Sequence, residues 1–402
     1  MEGFFGTYDV VVIGLLGLFL FNVVLNAICF PTVKRQWVKR PLDSDLPRVS
    51  VLVPARNEAH QLAHCLESLS AQSYKNYEVI VLDDCSEDDT AGVAKELGFR
   101  EDGKGRFQLI RGQAMPRGWV GKPWACYQLS RQASGDFLLF TDADTVHHET
   151  SVESAVAMAL EKQTHLLSVW PHQVTVTWAE NLIIPMIYLL GLAFIPYWFL
   201  RFAQRSHKAF RWVPQWVWQR MGAANGQYML FTRDAYKQLG SHQLVKDNLV
   251  EDVMLGREVT KRIPKGWRIL NADGHRVVEC RMYREFLEVW EGFSKNVRPA
   301  FEGRTLEFVG VGVILAVTMF LPFIWFIVRE QPWLVTLQAQ LILLIRLVLT
   351  ARFHTSWASL ALHPFAMLLS FVIAINSWRQ RLTGKITWKR RQYDFASGKR
   401  EG

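Results

Sequence analysis

The stretch DFLLFTDADT, residues 136–145, runs four apolar residues straight into Asp142 and Asp144, one residue apart. An unbroken apolar run of this kind reads as a strand buried on both faces, typical of a parallel sheet. A strand has a period of two, so both carboxylates are expected on one side at its carboxyl end. In open α/β sheets that edge is where ligands bind. Two carboxylates on one edge are able to hold Mg2+ or Mn2+, hard cations that take a few carboxylate oxygens plus phosphates. Polar clusters close two earlier apolar runs as well: Arg56, Asn57 and Glu58 after RVSVLVP, and Asp83 and Asp84 after YEVIVL. One such cluster is what any solvated loop looks like; three at one sheet edge point to a site.

The elements that must position these residues alternate from residue 48 onward. RVSVLVPARNEA is a strand running into a polar turn, followed by the helical stretch HQLAHCLESLSAQ; YEVIVLDDCSEDDT repeats the scheme. Ser86 and Asp88 are expected to cap the helix TAGVAKELG, while RFQLIRG and DFLLFTDADT supply a third and a fourth strand. Such alternation predicts a mainly parallel sheet with helices on its faces. Neither a G-x-G-x-x-G fingerprint nor a P-loop is present, so the usual dinucleotide and ATP cradles are excluded. The five cysteines are scattered and lack C-x-x-C spacing, which gives neither a disulfide framework nor a zinc site.

Residues 10–30 carry no charge and are long enough for a membrane-spanning helix. Glu2 and Asp9 precede them and the basic run KRQWVKR (34–40) follows, so the segment reads as an anchor with the next part of the chain in the cytosol. Further apolar segments lie at 307–328, 333–350 and 356–377, and another at 181–200 holds Pro185 and Pro196, which cost helix hydrogen bonds unless neighbours compensate. The net charge of +9 is concentrated. No acidic residue occurs between Glu180 and Asp234, where Arg201, Arg205, Lys208, Arg211 and Arg220 interleave with Trp212, Trp216 and Trp218. Adjacency to the apolar run 181–200 favours an anionic membrane surface over nucleic acid as the partner of that stretch.

In order and spacing, PARNEA, DDCSEDDT, GWVGKPWAC, TDADT and the VED of 250–252 resemble the family 2 glycosyltransferases with a GT-A fold. GWVGKPWACYQ, LLSVWPHQ, CRMYREF and ITWKRRQYD are similar to one branch, the membrane-anchored transferases of carotenoid acids and their hopanoid-associated relatives. The resemblance covers roughly residues 48–305 and the tail near Trp388. It implies an α/β fold: a Rossmann-like, mixed but mainly parallel GT-A sheet, with N-terminal and C-terminal transmembrane helices. It also implies that Asp144, with Asp142, holds Mg2+ or Mn2+ on the diphosphate of a nucleotide sugar, that Asp84 with Asp83 reads the nucleobase, and that Arg56, Asn57 and Glu58 line the nucleotide. Lys122 resembles a lysine near the diphosphate, and Asp252 the general base of inverting members; adjacent Glu251 could exchange roles with it, and both also suit the start of a helix. Arg281 and Tyr283 are candidates for closing over the diphosphate. GAANGQ (222–227), with Gly222 and Asn225, either lines the acceptor site or makes a turn. The Q-x-x-R-W of processive members is missing; Lys295 in WEGFSKN stands where its arginine would be, which argues for a single transfer. His147 and His148 are read as solvated loop residues, not ligands.

The expected organisation is an anchor (1–31), a cytosolic catalytic domain (48–305) containing an interfacial or re-entrant segment (181–220), a C-terminal transmembrane region (306–378) and a basic tail (379–402). Three C-terminal spans would leave that basic tail outside, against the positive-inside rule. The expected function is inverting transfer of one sugar, UDP-glucose or similar, to a lipid-soluble acceptor by an integral protein of the cell membrane. Its alternatives are a polyisoprenyl-phosphate transferase and a non-catalytic nucleotide-binding membrane protein.

Overall fold

The computed structural model describes residues 2–34, 46–329, 333–383, 385–388 and 391–394. The basic run beyond Lys34 and much of the basic tail lie outside the described residues. The chain forms two compact units: a helical one (Met1–Phe30, Thr175–Phe199, Tyr283–Trp388) and a sheet unit (Pro31–Val174, Leu200–Met282, Lys389–Gly402).

In the sheet unit the strands are β1 (Val49–Ala55), β2 (Tyr77–Asp83), β3 (Phe107–Arg111), β4 (Phe137–Thr141), β5 (Thr145–His147), β6 (Leu166–Trp170), β7 (His172–Gln173), β8 (Tyr228–Thr232), β9 (Ile269–Asp273) and β10 (Val278–Cys280). Seven of them form one sheet in the order β3-β2-β1-β4-β8-β6-β9. Pairing is parallel except where β8 enters antiparallel between β4 and β6, aligning Leu139 with Leu230 and Leu230 with Leu167. The sheet is thus mixed and mainly parallel, as the alternation predicts, but it holds three strands beyond the four read from sequence. Val51, Val53, Val79, Val81, Leu139 and Leu230 point into one core with Leu62, Leu66 and Val156 of the covering helices. Apolar side chains on both faces are why β1, β2 and β4 read as uninterrupted runs.

Register fixes the site. Ala55 of β1 aligns with Asp83 of β2, and Asp83 with Arg111 of β3, so the residues that follow these strands emerge side by side. The expected caps differ in detail. Asp89, not Ser86 or Asp88, precedes the helix Thr90–Glu96. Asp88 instead accepts from Thr90 N and Ala59 N, both at 3.1 Å, and Ser86 Oγ accepts from Asn57 N at 3.0 Å.

Among the described residues of the helical unit, three helices are long and apolar enough to cross a membrane: Gly6–Cys29, Thr305–Val328 and Trp333–Phe353. The run 356–377 is split into helices Trp357–Ala361 and His363–Thr383 and is not among them. The segment containing the two prolines is a pair of helical pieces, Trp178–Phe194 and Tyr197–Arg205, bent by 47°. The first piece is itself two helices, Trp178–Ile183 and Pro185–Phe194, so Pro185 sits at a helix start, where its missing N–H costs nothing. Pro196 falls at the bend, and the backbone groups freed there are met by two asparagines one turn apart on the first helix. Asn22 Nδ2 donates to Leu192 O (3.2 Å) and Ala193 O (2.9 Å), and Asn26 Nδ2 to Leu192 O and Ile195 O (both 2.8 Å). Their carbonyl oxygens accept from Trp198 Nε1 (2.9 Å) and Trp198 N (3.1 Å). Broken backbone in apolar surroundings is tolerated only with such partners. Near the other end of the same helix, buried Asp9 accepts from both Arg329 (2.9 Å to each oxygen) and Gln338 (2.8 Å).

Candidate active site

The loops leaving β1 and β2 are knit into one surface. The Arg56 guanidinium donates to Asp84 O and Cys85 O, both at 2.7 Å. Asn57, in the left-handed region at φ 53°, accepts from Glu87 N at 2.8 Å through its side chain, a conformation asparagine tolerates better than most residues. Glu58 N donates to Thr90 Oγ1 at 2.9 Å, and its carboxylate accepts from Gln61 at 2.8 Å. Asp83 is buried and bridged to Arg111 at 2.6 Å, with Ser86 N on its other oxygen at 3.1 Å. Asp84 is buried beside it. All five residues expected to line a nucleotide therefore sit at one edge, with Arg56 and Asn57 bracing the edge through these same contacts. Arg111 was missed from sequence; the available signal was its place at the end of the RFQLIRG strand.

A second cluster lies at the start of helix Gly121–Gln132, where four groups from three separate parts of the chain meet. Lys122 Nζ is 2.7 Å from Asp142 Oδ1 and 3.1 Å from Glu251 Oε1. Asp252, next to Glu251 in the first turn of helix Glu251–Thr260, accepts from Gly226 N at 2.7 Å and from Val253 N at 2.8 Å. Burial raises the Glu251 carboxyl above its usual range, Lys122 pulls it back, and Asp252 and Asp142 add to the rise. For Lys122, burial works against the charge, but Asp142, Glu251 and Asp252 outweigh it and push the ammonium well up; about a third of the side chain stays exposed, at 35%, so the ion pairs are partly screened. One turn on, the buried Cys126 thiol is pushed well up by burial, with Glu251, Asp142 and Asp84 adding to it.

The loop 222–227 presses against the helix that bears Asp252. A Cβ on Gly222 would come within 2.6 Å of Arg257 Cα, and one on Gly256 within 2.5 Å of Ala223 C. Gly222 is thus a close-packing residue, and Asn225 shapes the turn, its backbone N–H donating to Ser168 Oγ (2.7 Å) and its side-chain Oδ1 accepting from Gln227 N (2.9 Å). Gly226 leaves no room either: a Cβ there would lie 2.9 Å from Asp252 Oδ2 and 3.1 Å from Lys122 Nζ. Gly226→Ala is therefore expected to displace both side chains and to lower kcat by about tenfold to a hundredfold with little change in Tm, measured by steady-state turnover and thermal melting.

Asp142 and Asp144 are not the last residues of a strand, as the period-two argument assumed. β4 ends at Thr141 and β5 begins at Thr145, so both acids occupy the turn between them. The turn still directs them to one place. The buried Cys280 thiol is raised well above its usual value by burial, with Asp144 and Asp142 adding to the rise. Burial likewise pushes the Cys65 thiol to about 12, with Asp144, Asp142 and Glu58 contributing. Beneath the turn lies a polar floor missed from sequence: Gln173 Nε2 donates to Gln227 Oε1 (2.7 Å), and Gln227 Nε2 to Cys280 Sγ (2.9 Å). His147 is not solvated. It is buried on β5, 3.1 Å from Thr141 Oγ1 and 3.0 Å from Thr145 Oγ1, and burial lowers its pKa to about 3; it is a neutral core residue. Among the described residues no group of three or more His, Cys, Asp or Glu could hold a metal ion. Two carboxylates in one turn are nevertheless a fitting donor set for Mg2+ or Mn2+, which keep most of their shell for water and phosphate oxygens.

Arg281 follows β10 directly in the sheet unit, whereas Tyr283 and Lys295 belong to the helical unit. Tyr283 packs on Gly292, where an added Cβ would lie 2.1 Å from its hydroxyl, and Lys295 is in the last turn of helix Phe286–Val297.

Residues 50–214 match the model of glycosyl transferase family 2. The 4,4'-diaponeurosporenoate glycosyltransferase of Staphylococcus aureus strain USA300 is 26% identical over 385 residues, covering 90% of this chain and 92% of that protein. Its counterpart in strain MRSA252 is 26% identical over 386 residues, with the same shares covered. Among solved structures, the mannosyltransferase PcManGT of Pyrobaculum calidifontis, in complex with GDP-Man and Mn2+, superposes with a TM-score of 0.50 at 18% identity, over 93% of this chain and 99% of that one.

Proposed function

We propose that this chain, whose residues 50–214 match the family 2 glycosyl transferase model and which is similar over 90% of its length to a glycosyltransferase, transfers a single sugar, with inversion, from a UDP-sugar such as UDP-glucose to a hydroxyl of a lipid-soluble acceptor. The observation that carries this reading is the convergence of Lys122, Asp142, Glu251 and Asp252 at the carboxyl edge of the sheet. The edge built from Arg56, Asn57, Glu58, Asp83 and Asp84 would take the nucleotide. An ionised Asp84 is an acceptor able to take a uracil imide N–H.

Asp144, with Asp142, would hold Mg2+ or Mn2+, which when bound neutralises charge on the departing diphosphate. With its ammonium already between Asp142 and Glu251, Lys122 is placed to give up one carboxylate for a diphosphate oxygen. Asp252 takes the proton of the acceptor hydroxyl as that oxygen forms its bond to the anomeric carbon and the bond to the diphosphate breaks. The Gly226 N–H and the start of the helix fix the carboxylate for that task. A lipid acceptor is supported by the carotenoid-acid transferases the chain is similar to and by its apolar helices. Counting those three helices as spans returns the basic tail to the side of the sheet unit, which we place in the cytosol of a cell-membrane protein.

The test is UDP release by detergent-solubilised protein from a panel of UDP-sugars, with Mn2+ or Mg2+ and fractionated lipid as acceptor. Metal-dependent release that requires a lipid fraction is expected. UDP binding without turnover of any sugar in any fraction would favour the non-catalytic reading. Turnover only with polyisoprenyl phosphate would replace the hydroxyl acceptor.

A further inference from the structure

Residues 200–221 leave a basic and aromatic face uncovered. Arg205, Lys208, Arg211 and Arg220 are exposed, as are Phe202 (57%), Trp212 (78%) and Trp216 (58%). The Arg220 guanidinium lies 4.8 Å over the Trp216 ring. The opposite side of the same segment is fastened to the sheet unit. Leu200, Ala203 and Gln204 are buried, with Gln204 Oε1 accepting from Ile269 N at 2.8 Å. Trp218 is fully buried, and its Nε1 donates to Val213 O at 3.2 Å. The outward rings and cations are thus held on a packed support.

Large apolar side chains held in water beside cations mark a surface with a partner. The chemistry specifies that partner. Tryptophans favour the headgroup level of a bilayer, where one edge is apolar and the other wet. Arginine and lysine stems lie along apolar surface while their heads reach phosphate. No acid interrupts the chain between Glu180 and Asp234, so nothing within the segment repels an anion. The segment also follows directly on the apolar run 181–200. We propose that this face docks on an anionic bilayer surface, its aromatic rings among the headgroups and its cations on lipid phosphates.

The support beneath the face gives docking a consequence. Helix Gln215–Met221 packs on helix Glu251–Thr260, the bearer of Asp252. Bilayer contact therefore braces the helix that carries the proposed base, Asp252. That coupling rests on the function proposed above; the docking itself does not.

The test uses the full chain in nanodiscs of phosphatidylcholine alone or with about a third phosphatidylglycerol, followed by amide hydrogen exchange over 201–220. Exchange is expected to slow by roughly tenfold in the anionic discs and to recover at about 1 M salt, where charge is screened within a few ångströms. The variant R205E/K208E/R211E should lose the slowing. Trp212→Ala with Trp216→Ala, which keeps every charge and alters only exposed positions, should weaken it. Equal exchange in the two bilayers, or slowing that survives both variants, would overturn the proposal and leave the face to a second copy of the chain or an acidic protein. Because exchange is read without sugar transfer, its outcome is independent of whether the donor or acceptor is identified.

Discussion

Asp252→Asn is expected to lower kcat for transfer to a hydroxyl acceptor by about 10²–10⁴-fold, the usual worth of a positioned general base. The substitution is nearly isosteric, and its side-chain oxygen can still accept from Gly226 N, which now holds Asp252 at 2.7 Å. Donor KM and thermal stability should therefore change little. What is lost is the capacity to take a proton. Single-turnover rates on wild type and variant measure this directly. A variant that kept most of its activity would mean an acceptor that arrives already ionised, such as a carboxylate or a phosphate. Glu251→Gln separates the two acids: Glu251 is buried and bound to Lys122 at 3.1 Å, so its replacement should disturb Lys122 and donor binding more than proton removal.

The second large effect is expected at the turn. Asp144→Ala should abolish saturable dependence on Mn2+ or Mg2+ and cut UDP release by about 10²–10³-fold or more, since it removes stabilisation of charge that develops on the leaving group. Its neighbour should respond differently. Asp142 is tied to Lys122 at 2.7 Å, so Asp142→Ala removes a metal donor and also strands an ammonium beside Glu251. A metal titration of release by each variant makes the comparison. Equal metal affinity in wild type and Asp144→Ala would remove that residue from the proposed metal site.

Much of this was legible in the sequence, for identifiable reasons. β1, β2 and β4 are buried on both faces, so Val51–Val53, Val79–Leu82 and Phe137–Phe140 announced themselves as apolar runs. The acids at their carboxyl ends followed from strand direction alone. β6, β8 and β9 were not legible, because a short run such as YMLFT looks alike in a strand and in a buried helix, and ILNAD carries no apolar run at all. The antiparallel entry of β8 between β4 and β6 is a tertiary choice that no local pattern states. Asp142 and Asp144 were found by their type but placed on the wrong element, since a turn that begins right after Thr141 leaves no trace in hydropathy. His147 was misjudged because sequence cannot show the threonines that enclose it. The Lys122–Asp142–Glu251 contact joins two residues 20 positions apart to a third more than a hundred positions on, and only folding brings them together.

Asn22 and Asn26 change what the first helix is for. By composition its residues 10–30 are an uncharged tether, and a tether is interchangeable: any apolar span of the same length would hold the protein to a bilayer. These two side chains instead supply the missing partners of Leu192, Ala193, Ile195 and Trp198, residues synthesised long after them. Each backbone group left without a partner in hydrocarbon costs several kcal/mol. A replacement span would therefore deliver the chain to the right membrane yet fail to let the bent segment settle. The first helix is thus a partner of the later one as well as an apolar span, and Asn22→Leu with Asn26→Leu is expected to appear as misfolding, not as mislocalisation.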